Sequence, residues 1–418
     1  MPDRNSLGLA DRGPHDDKVY RAGTHRAAAP AETVERIRPH LRALGITRLA
    51  NVTGLDRVGI PVALACRPNS RSVSVSQGKG LELEAARASA LMEAVETWHA
   101  ERITSPIRFG SVSELEKNLP LVDVTSLPQS QAGRYHPSLP MYWIEGVRLS
   151  DGASVWLPLE IVSTNYTLPL PQGSGAFAAS TNGLASGNCL SEAISHGICE
   201  IVERDAATLW KLRGAKAQSC SALDLGSVDD DYCQSLIDQF NRARVSVKVW
   251  DITSDIGIAA FCALVYGGPD DWADPEFGAG CHPSRSVALA RALTEAAQAR
   301  VTFIAGSRDD LGARLYSPRA RARRRRYCME LMERHLPSRR FNEVPSRDAR
   351  TLSEDVDWEL ERLAASGFTE AAVVDLTRPE LGIAVAKVVV PGLEGPFEHE
   401  QGDYVAGARA RAAVDLPL

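Results

Sequence analysis

The sequence predicts a mixed α/β protein, and three observations carry that reading. Short runs rich in Val, Ala and Ile alternate with helix-length amphipathic runs through most of the 418 residues. Three stretches repeat one plan of strand, glycine turn and helix: SQGKGLELEAARASALMEAVE, ASGNCLSEAISHGICEIVER and GAGCHPSRSVALARALTEAAQAR. Hydrophobic residues at 44% and charged residues at 24% give the ordinary balance of a globular chain with a large core.

In chain order, residues 1–17 are polar and read as a flexible N-terminus. Pro30 opens a predicted helix, PAETVERIRPHLRALG, that stops at Gly45. Residues 59–66 (GIPVALAC) and 71–76 (RSVSVS) read as neighbouring strands, the second alternating cleanly. The first repeat helix follows from Glu82. Residues 118–174 hold many prolines and read as an insertion with short strands such as MYWIEGVRL and ASVWLPL. A long helix runs from Leu190 to Leu212, and residues 229–243 form a helix leading into the strands VSVKVWDI and GIAAFCALVY. After the third repeat helix comes a break at 305–312. The run RARARRRR at 319–326 reads as a solvated surface helix or loop, since no aromatics interleave with its arginines. A helix near 353–366, the strands AAVVDL and IAVAKVVV, and a tail at 401–418 close the chain. The main domain is expected over 18–400.

Composition narrows the function classes. A net charge of −6 gives no reason to expect nucleic-acid binding. No apolar run approaches the length of a membrane span, and the N-terminus lacks a signal-peptide core, so a cytoplasmic protein is expected. The 8 cysteines are scattered without a CxxC and read as reduced core thiols.

The repeats carry the chemistry. In the first, Gly80 lies 13 residues before Glu93, and in the second Gly187 lies 13 before Glu200 (93 − 80 and 200 − 187). Glu96 and Glu203 follow three residues later, so each pair shares a helical face. The third copy reaches Glu295 and Gln298 from Gly280, a gap of 15. On the first helix Glu82, Ala86, Ser89, Glu93 and Glu96 form one stripe; on the second Cys189, Ala193, His196, Glu200 and Glu203 match it. One E-x-x-E pair is ordinarily a solvated face, but two at an equal offset argue otherwise. Four carboxylates brought together need a cation between them, and a divalent metal with a phosphate ligand is the natural candidate. Gly78 and Gly80 flank Lys79 at the strand-to-helix turn, where backbone amides favour an anion, although SQGKG is not a Walker A loop. Acids for magnesium with bases for phosphate describe an ATP site of an unfamiliar kind.

SQGKGLELEAARASALMEAVETWHAE, ASGNCLSEAISHGICEIVERDAA and QARVTFIAGSRDD resemble three blocks of the YcaO superfamily, over residues of about 20 to 400. The resemblance implies a YcaO-like fold of pseudo-repeated strand–glycine turn–helix units around a nucleotide site. It implies ATP- and Mg2+-dependent activation of a peptide backbone amide, whose oxygen attacks the γ-phosphate before a nucleophile replaces it. Glu93, Glu96, Glu200 and Glu203 fall where the family places magnesium ligands. Asn188, Glu192 and Arg204 fall in its nucleotide-contacting block, GTHRAAAPAET puts Arg26 and Thr33 at the site, and Lys79 and Arg308 are further phosphate candidates. No catalytic residue is assigned. There are departures: ETWH stands where many members have E-x-x-E-R, and Ala185 stands where some carry a serine.

The chain ends AAVDLPL, without the proline-rich tail usual in azoline-forming members, and GITRLANVTGLDRVGIPV resembles members that work with a TfuA-type partner and install thioamides from external sulfide. The resemblance therefore implies thioamidation of a ribosomal peptide or protein, a TfuA-type partner and a homodimer. Azoline formation by cyclodehydration is the alternative, and a non-catalytic nucleotide-binding accessory the second.

Overall fold

The computed structural model describes residues 16–131, 133–271, 273–334, 338–395 and 405–415. Most of the expected N-terminal segment (1–15) and parts of the expected tail (401–404 and 416–418) lie outside them. In order, the elements are α1 (Pro30–Ile37), β1 (Arg48–Asn51), β2 (Val62–Cys66), β3 (Val75–Lys79), α2 (Leu83–Ala100), β4 (Ile107–Gly110), α3 (Val112–Leu115), β5 (Met141–Arg148), β6 (Ser154–Pro158), α4 (Leu159–Val162), β7 (Leu184–Gly187) and α5 (Leu190–Leu212). There follow α6 (Gly214–Ser219), α7 (Asp231–Arg242), β8 (Ser246–Asp251), β9 (Ala260–Tyr266), β10 (Glu276–Cys281), α8 (Arg285–Ala305), α9 (Pro318–Arg334), α10 (Leu352–Ala365), β11 (Ala372–Asp375), β12 (Ala384–Val389) and α11 (Ala408–Asp415).

These elements make two compact units. One comprises Val19–Ala94 and Arg213–Asp348. It holds two antiparallel three-stranded sheets, β1-β2-β3 and β10-β9-β8. Phe240, Leu236, Phe261, Val249, Leu289 and Leu293 form its buried core. The other comprises Val95–Leu212 and Ala349–Pro417 with the short N-terminal piece up to Lys18. Its six-stranded antiparallel sheet runs β4-β5-β11-β12-β7, with β6 on β5. The proline-rich stretch 118–174 therefore supplies β5 and β6 to this sheet.

The repeated unit is present three times: β3 into α2, β7 into α5 and β10 into α8. The glycines do a different job from the one expected. Gly78 and Gly280 lie within strands, and neither Gly80 nor Gly187 appears among the residues with positive φ. A Cβ on Gly78 would stand 2.1 Å from both Ala86 O and Ala90 N, and one on Gly280 would stand 2.2 Å from Ala288 O. Their role is close approach of strand to helix rather than an amide nest for an anion. The third copy's longer gap also resolves. Gly280 meets Ala288 and Ala292 just as Gly78 meets Ala86 and Ala90, and Gly78 to Glu93 is also 15 residues (93 − 78 and 295 − 280).

Other boundaries moved for physical reasons. The helix expected to reach Gly45 ends at Ile37, because Pro39 lacks the amide hydrogen that would continue the helical hydrogen bonds. The strand expected at 71–76 lies at Val75–Lys79, paired along Val62–Cys66. The arginine run is a surface helix as expected, and half of its arginines are paired with acids. Arg321 and Arg325 both hold Asp274 (2.9 and 2.7 Å) and Arg324 holds Glu276, while Arg319, Arg323 and Arg326 are exposed.

Candidate nucleotide and metal site

Helix α5 presents the clearest arrangement. Between Ser191 and Trp210 only His196, Glu200, Arg204 and Ala207 are less than fully buried, and they follow a single stripe. Ile194, Ile198 and Val202 are fully enclosed, which sets the face that the helix buries. Glu203 is nearly enclosed as well, at 2% exposure. The Arg204 guanidinium reaches back along the helix to Glu200 (3.8 Å) and Glu203 (3.9 Å). One turn before this stripe, the Asn188 amide donates to the buried Glu192 carboxylate (3.2 Å).

Glu96 is tied to the strand that leads into α5. Both the amide (2.9 Å) and the hydroxyl (2.7 Å) of Ser186 donate to its Oε1. Lys387 on β12 lies under the same region, 1% exposed, its Nζ donating to the Ser180 carbonyl (2.8 Å). Burial pushes this ammonium down to about 8, and the Glu200 charge opposes that shift. The register pairs Val385 with Ser186 and Lys387 with Leu184, so Ser186 and Lys387 project from one face of the sheet a step apart. Ser186, which binds Glu96, and Lys387, which lies in the field of Glu200, thus share one face of the sheet. Sequence reading missed both organisers. Lys387 left a signal, as the one charge inside the apolar run IAVAKVVV.

Behind α5, Ser195 (2.8 Å) and Cys199 (3.3 Å) donate to Oε1 of Glu359 on α10. Glu359 is fully enclosed, and burial raises its pKa well above the carboxylate range.

The remaining candidates belong to the other unit. Arg308 is chelated by Asp310 (2.8 Å from Nε), which raises its pKa, and Glu93 adds its field. Two residues singled out separately in the sequence are thus electrostatic neighbours. The Lys79 ammonium holds Glu295 at 2.6 Å, so the first repeat's lysine is paired with the third repeat's acid. The Thr33 hydroxyl turns to the Ala29 carbonyl (3.3 Å) at the start of α1, and Arg26 makes a two-way backbone bridge with Tyr20 (2.9 and 3.0 Å). Thr97, which follows Glu96, is 6% exposed.

Residues 77–394 match the family described as YcaO cyclodehydratase, ATP- and Mg2+-binding. The chain belongs to the YcaO family. ATP and Mg2+ are the cofactors of this family of ATP-dependent peptide-modifying enzymes. An uncharacterized protein in the tfuA 3′ region of Rhizobium leguminosarum bv. trifolii is 39% identical over 97% of this chain and 94% of its own. An uncharacterized protein of Methanothermobacter thermautotrophicus is 36% identical, over 88% of this chain and 95% of its own. Among solved structures, YcaO from Methanopyrus kandleri bound with AMPPCP and Mg2+ has a TM-score of 0.73 at 24% identity, covering 93% of this chain and 99% of that one. A heterocyclase in complex with substrate and cofactor has the same score and identity, but this YcaO chain spans only 55% of its length. Those two likenesses show the YcaO fold. Among the described residues no helix is long and apolar enough to cross a membrane.

The donor set can be tested against the metal. Glu96, Glu200 and Glu203 offer carboxylate oxygens alone, the hard ligands that Mg2+ takes, with Arg204 and Lys387 limiting the excess negative charge. The donor chemistry of these residues suits the ion.

Proposed function

We propose that this YcaO protein activates a backbone amide of a ribosomal peptide or protein by O-phosphorylation and that sulfide then converts it to a thioamide. One observation carries the activation reading. Ser186, bonded to Glu96, and the buried Lys387, in the field of Glu200, project from one face of the sheet. A solvated pair of helical faces would need no such organisation. Glu96, Glu200 and Glu203 would hold the metal, with Glu93, one turn earlier on α2, as the fourth acid. Asn188, Glu192 and Arg204, and separately Arg26, Thr33, Lys79 and Arg308, are proposed for the nucleotide. MgATP supplies the phosphoryl group: the amide oxygen–phosphorus bond forms as the bond to ADP breaks, and hydrosulfide then adds at carbon, loses its proton and expels phosphate.

The chain's own contribution is electrostatic. Lys387 adds a buried positive charge in the field of Glu200, and Ser186 keeps a carboxylate oxygen of Glu96 fixed in direction. The thioamide outcome is supported by the relative in the tfuA 3′ region, a likeness that runs the full length of the chain. A TfuA-type partner and a homodimer complete the proposal. The heterocyclase of the same fold favours a second reading, azoline formation, in which a side chain of the substrate is the nucleophile. Purified protein with MgATP, sulfide, a TfuA-type protein and candidate peptide separates them by phosphate release and peptide mass. A sulfur-for-oxygen increase supports thioamidation, and loss of water supports the azoline. Phosphate release with an unaltered peptide would sink both.

A further inference from the structure

Two residues past Glu203, Asp205 is completely buried and points away from the acid stripe. At about 100° per residue it stands nearly opposite Glu203 on the helix. Its carboxylate is filled by three donors. Arg409 of α11 gives Nε to Oδ1 (3.0 Å) and Nη2 to Oδ2 (2.9 Å), and the Glu394 amide gives a third bond to Oδ1 (3.0 Å). The buried Glu394 carboxylate in turn accepts from the amides of Gly407 (2.9 Å) and Ala410 (2.8 Å), at the start of α11. The Arg409 guanidinium lies over the Phe368 ring, 5.1 Å from its centroid. One turn further along α5, the Thr208 hydroxyl donates to the Gly395 carbonyl (2.7 Å). The chain on either side of 396–404 is thus fastened to the back of the helix whose front carries Glu200 and Glu203.

A buried ion pair is weak evidence for stability, since desolvation offsets much of the attraction. What a two-point guanidinium fork supplies is geometry: it fixes distance and rotation together. Acids that share a metal must be held to about 0.5 Å, a tolerance finer than the choice of which helical face is buried. We propose that the C-terminal helix is a latch, with Arg409 as a positioning residue that sets the rotation and depth of Glu200 and Glu203 by gripping Asp205. The inference rests on the amide-activation reading above, deepens it, and assigns a role to a segment that the sequence presents as a tail.

The test uses the full chain with Arg409→Ala, Arg409→Lys and Glu203→Gln, and three readouts. These are the Mg2+ dependence of ATP turnover, the separate kcat and KM for peptide, and hydrogen exchange of the α5 amides without nucleotide. For Arg409→Ala we expect the Mg2+ needed for half-maximal turnover to rise about 10- to 100-fold, the range for supporting partners of metal ligands. kcat should fall with the peptide KM little changed, and exchange should quicken from Ile201 to Leu209. Lysine, a single-point donor, should restore only part, and added methylguanidinium should rescue the alanine variant. A folded Arg409→Ala protein with wild-type Mg2+ dependence would overturn the latch, as would lost turnover with that dependence unchanged. If the alanine variant fails to fold, Arg409→Lys with wild-type Mg2+ dependence and exchange overturns it equally. Should Glu203→Gln keep full Mg2+-dependent turnover, the parent reading falls whatever Arg409 does.

Discussion

Replacing Glu203 with glutamine tests the metal assignment most directly, because the change keeps shape and removes one charge. The fold should notice little. At 3.9 Å, the Arg204–Glu203 attraction is worth about 4 kcal/mol at an intermediate dielectric. Arg204 is 37% exposed, however, and solvent screening reduces that to about 1 kcal/mol or less. The effect on turnover should be larger. Losing one charge from a preorganised cluster costs about two orders of magnitude, or roughly 2.7 kcal/mol. Arg326→Ala is the internal control, since Arg326 is exposed on α9 while Arg321, Arg324 and Arg325 are paired. Denaturant unfolding and Mg2+-dependent phosphate release on the same preparations separate the two terms. Equal loss of turnover in both variants, or a Glu203→Gln loss fully matched by unfolding, would refute the reasoning.

Three further expectations are independent of that one. Gly280→Ala should destabilise by about 1–3 kcal/mol through overpacking, while Gly312→Ala, with nothing within 4 Å of the added methyl, should be close to neutral; paired denaturation curves check both. Burial raises Glu276 to about 7 against the partial relief of Arg324, with Asp274, Arg300 and Cys328 also in its field, so the fold keeps a proton that the unfolded chain releases near the ordinary carboxylate value. Its stability contribution is complete below that value and declines as pH rises towards about 7, and Glu276→Gln should remove that part of the slope in thermal melts between those limits. Burial pushes the Cys189 thiol up to about 12, leaving it a poor nucleophile, so Cys189→Ala should retain thioamide formation from supplied sulfide; loss of product with nucleotide binding intact would make it a participating thiol.

What the sequence showed and what it hid follow from the range of the interactions involved. α5 is visible at about Leu190 to Leu212, because a long helix with one polar stripe announces itself through local periodicity. The paired acids were visible for the same reason. Ser186 and Lys387 were hidden because their role depends on the pairing of β12 with β7, strands almost 200 residues apart, and register is not a local property. The arginine run misled for a related reason: Asp274 and Glu276, which neutralise half of it, lie some 50 residues earlier. The glycines were read as turn formers, a local role, when their constraint is the distance between a strand and the helix after it.

The third repeat explains why three copies of one unit would give two acid pairs at a metal rather than three. It keeps the packing rule in full, since Gly280 meets Ala288 and Ala292 as Gly78 meets Ala86 and Ala90. What differs is the charge. Gln298 stands at the second acid's position, and the Glu295 carboxylate is held by Lys79 at 2.6 Å and by the Ala279 amide at 3.3 Å. At the metal site proposed above, a third ionised pair would add two more negative charges beside those that Arg204 and Lys387 offset. The third copy instead directs its single acid to Lys79 of the first, so the packing rule is repeated while the charge of the third copy acts through that lysine.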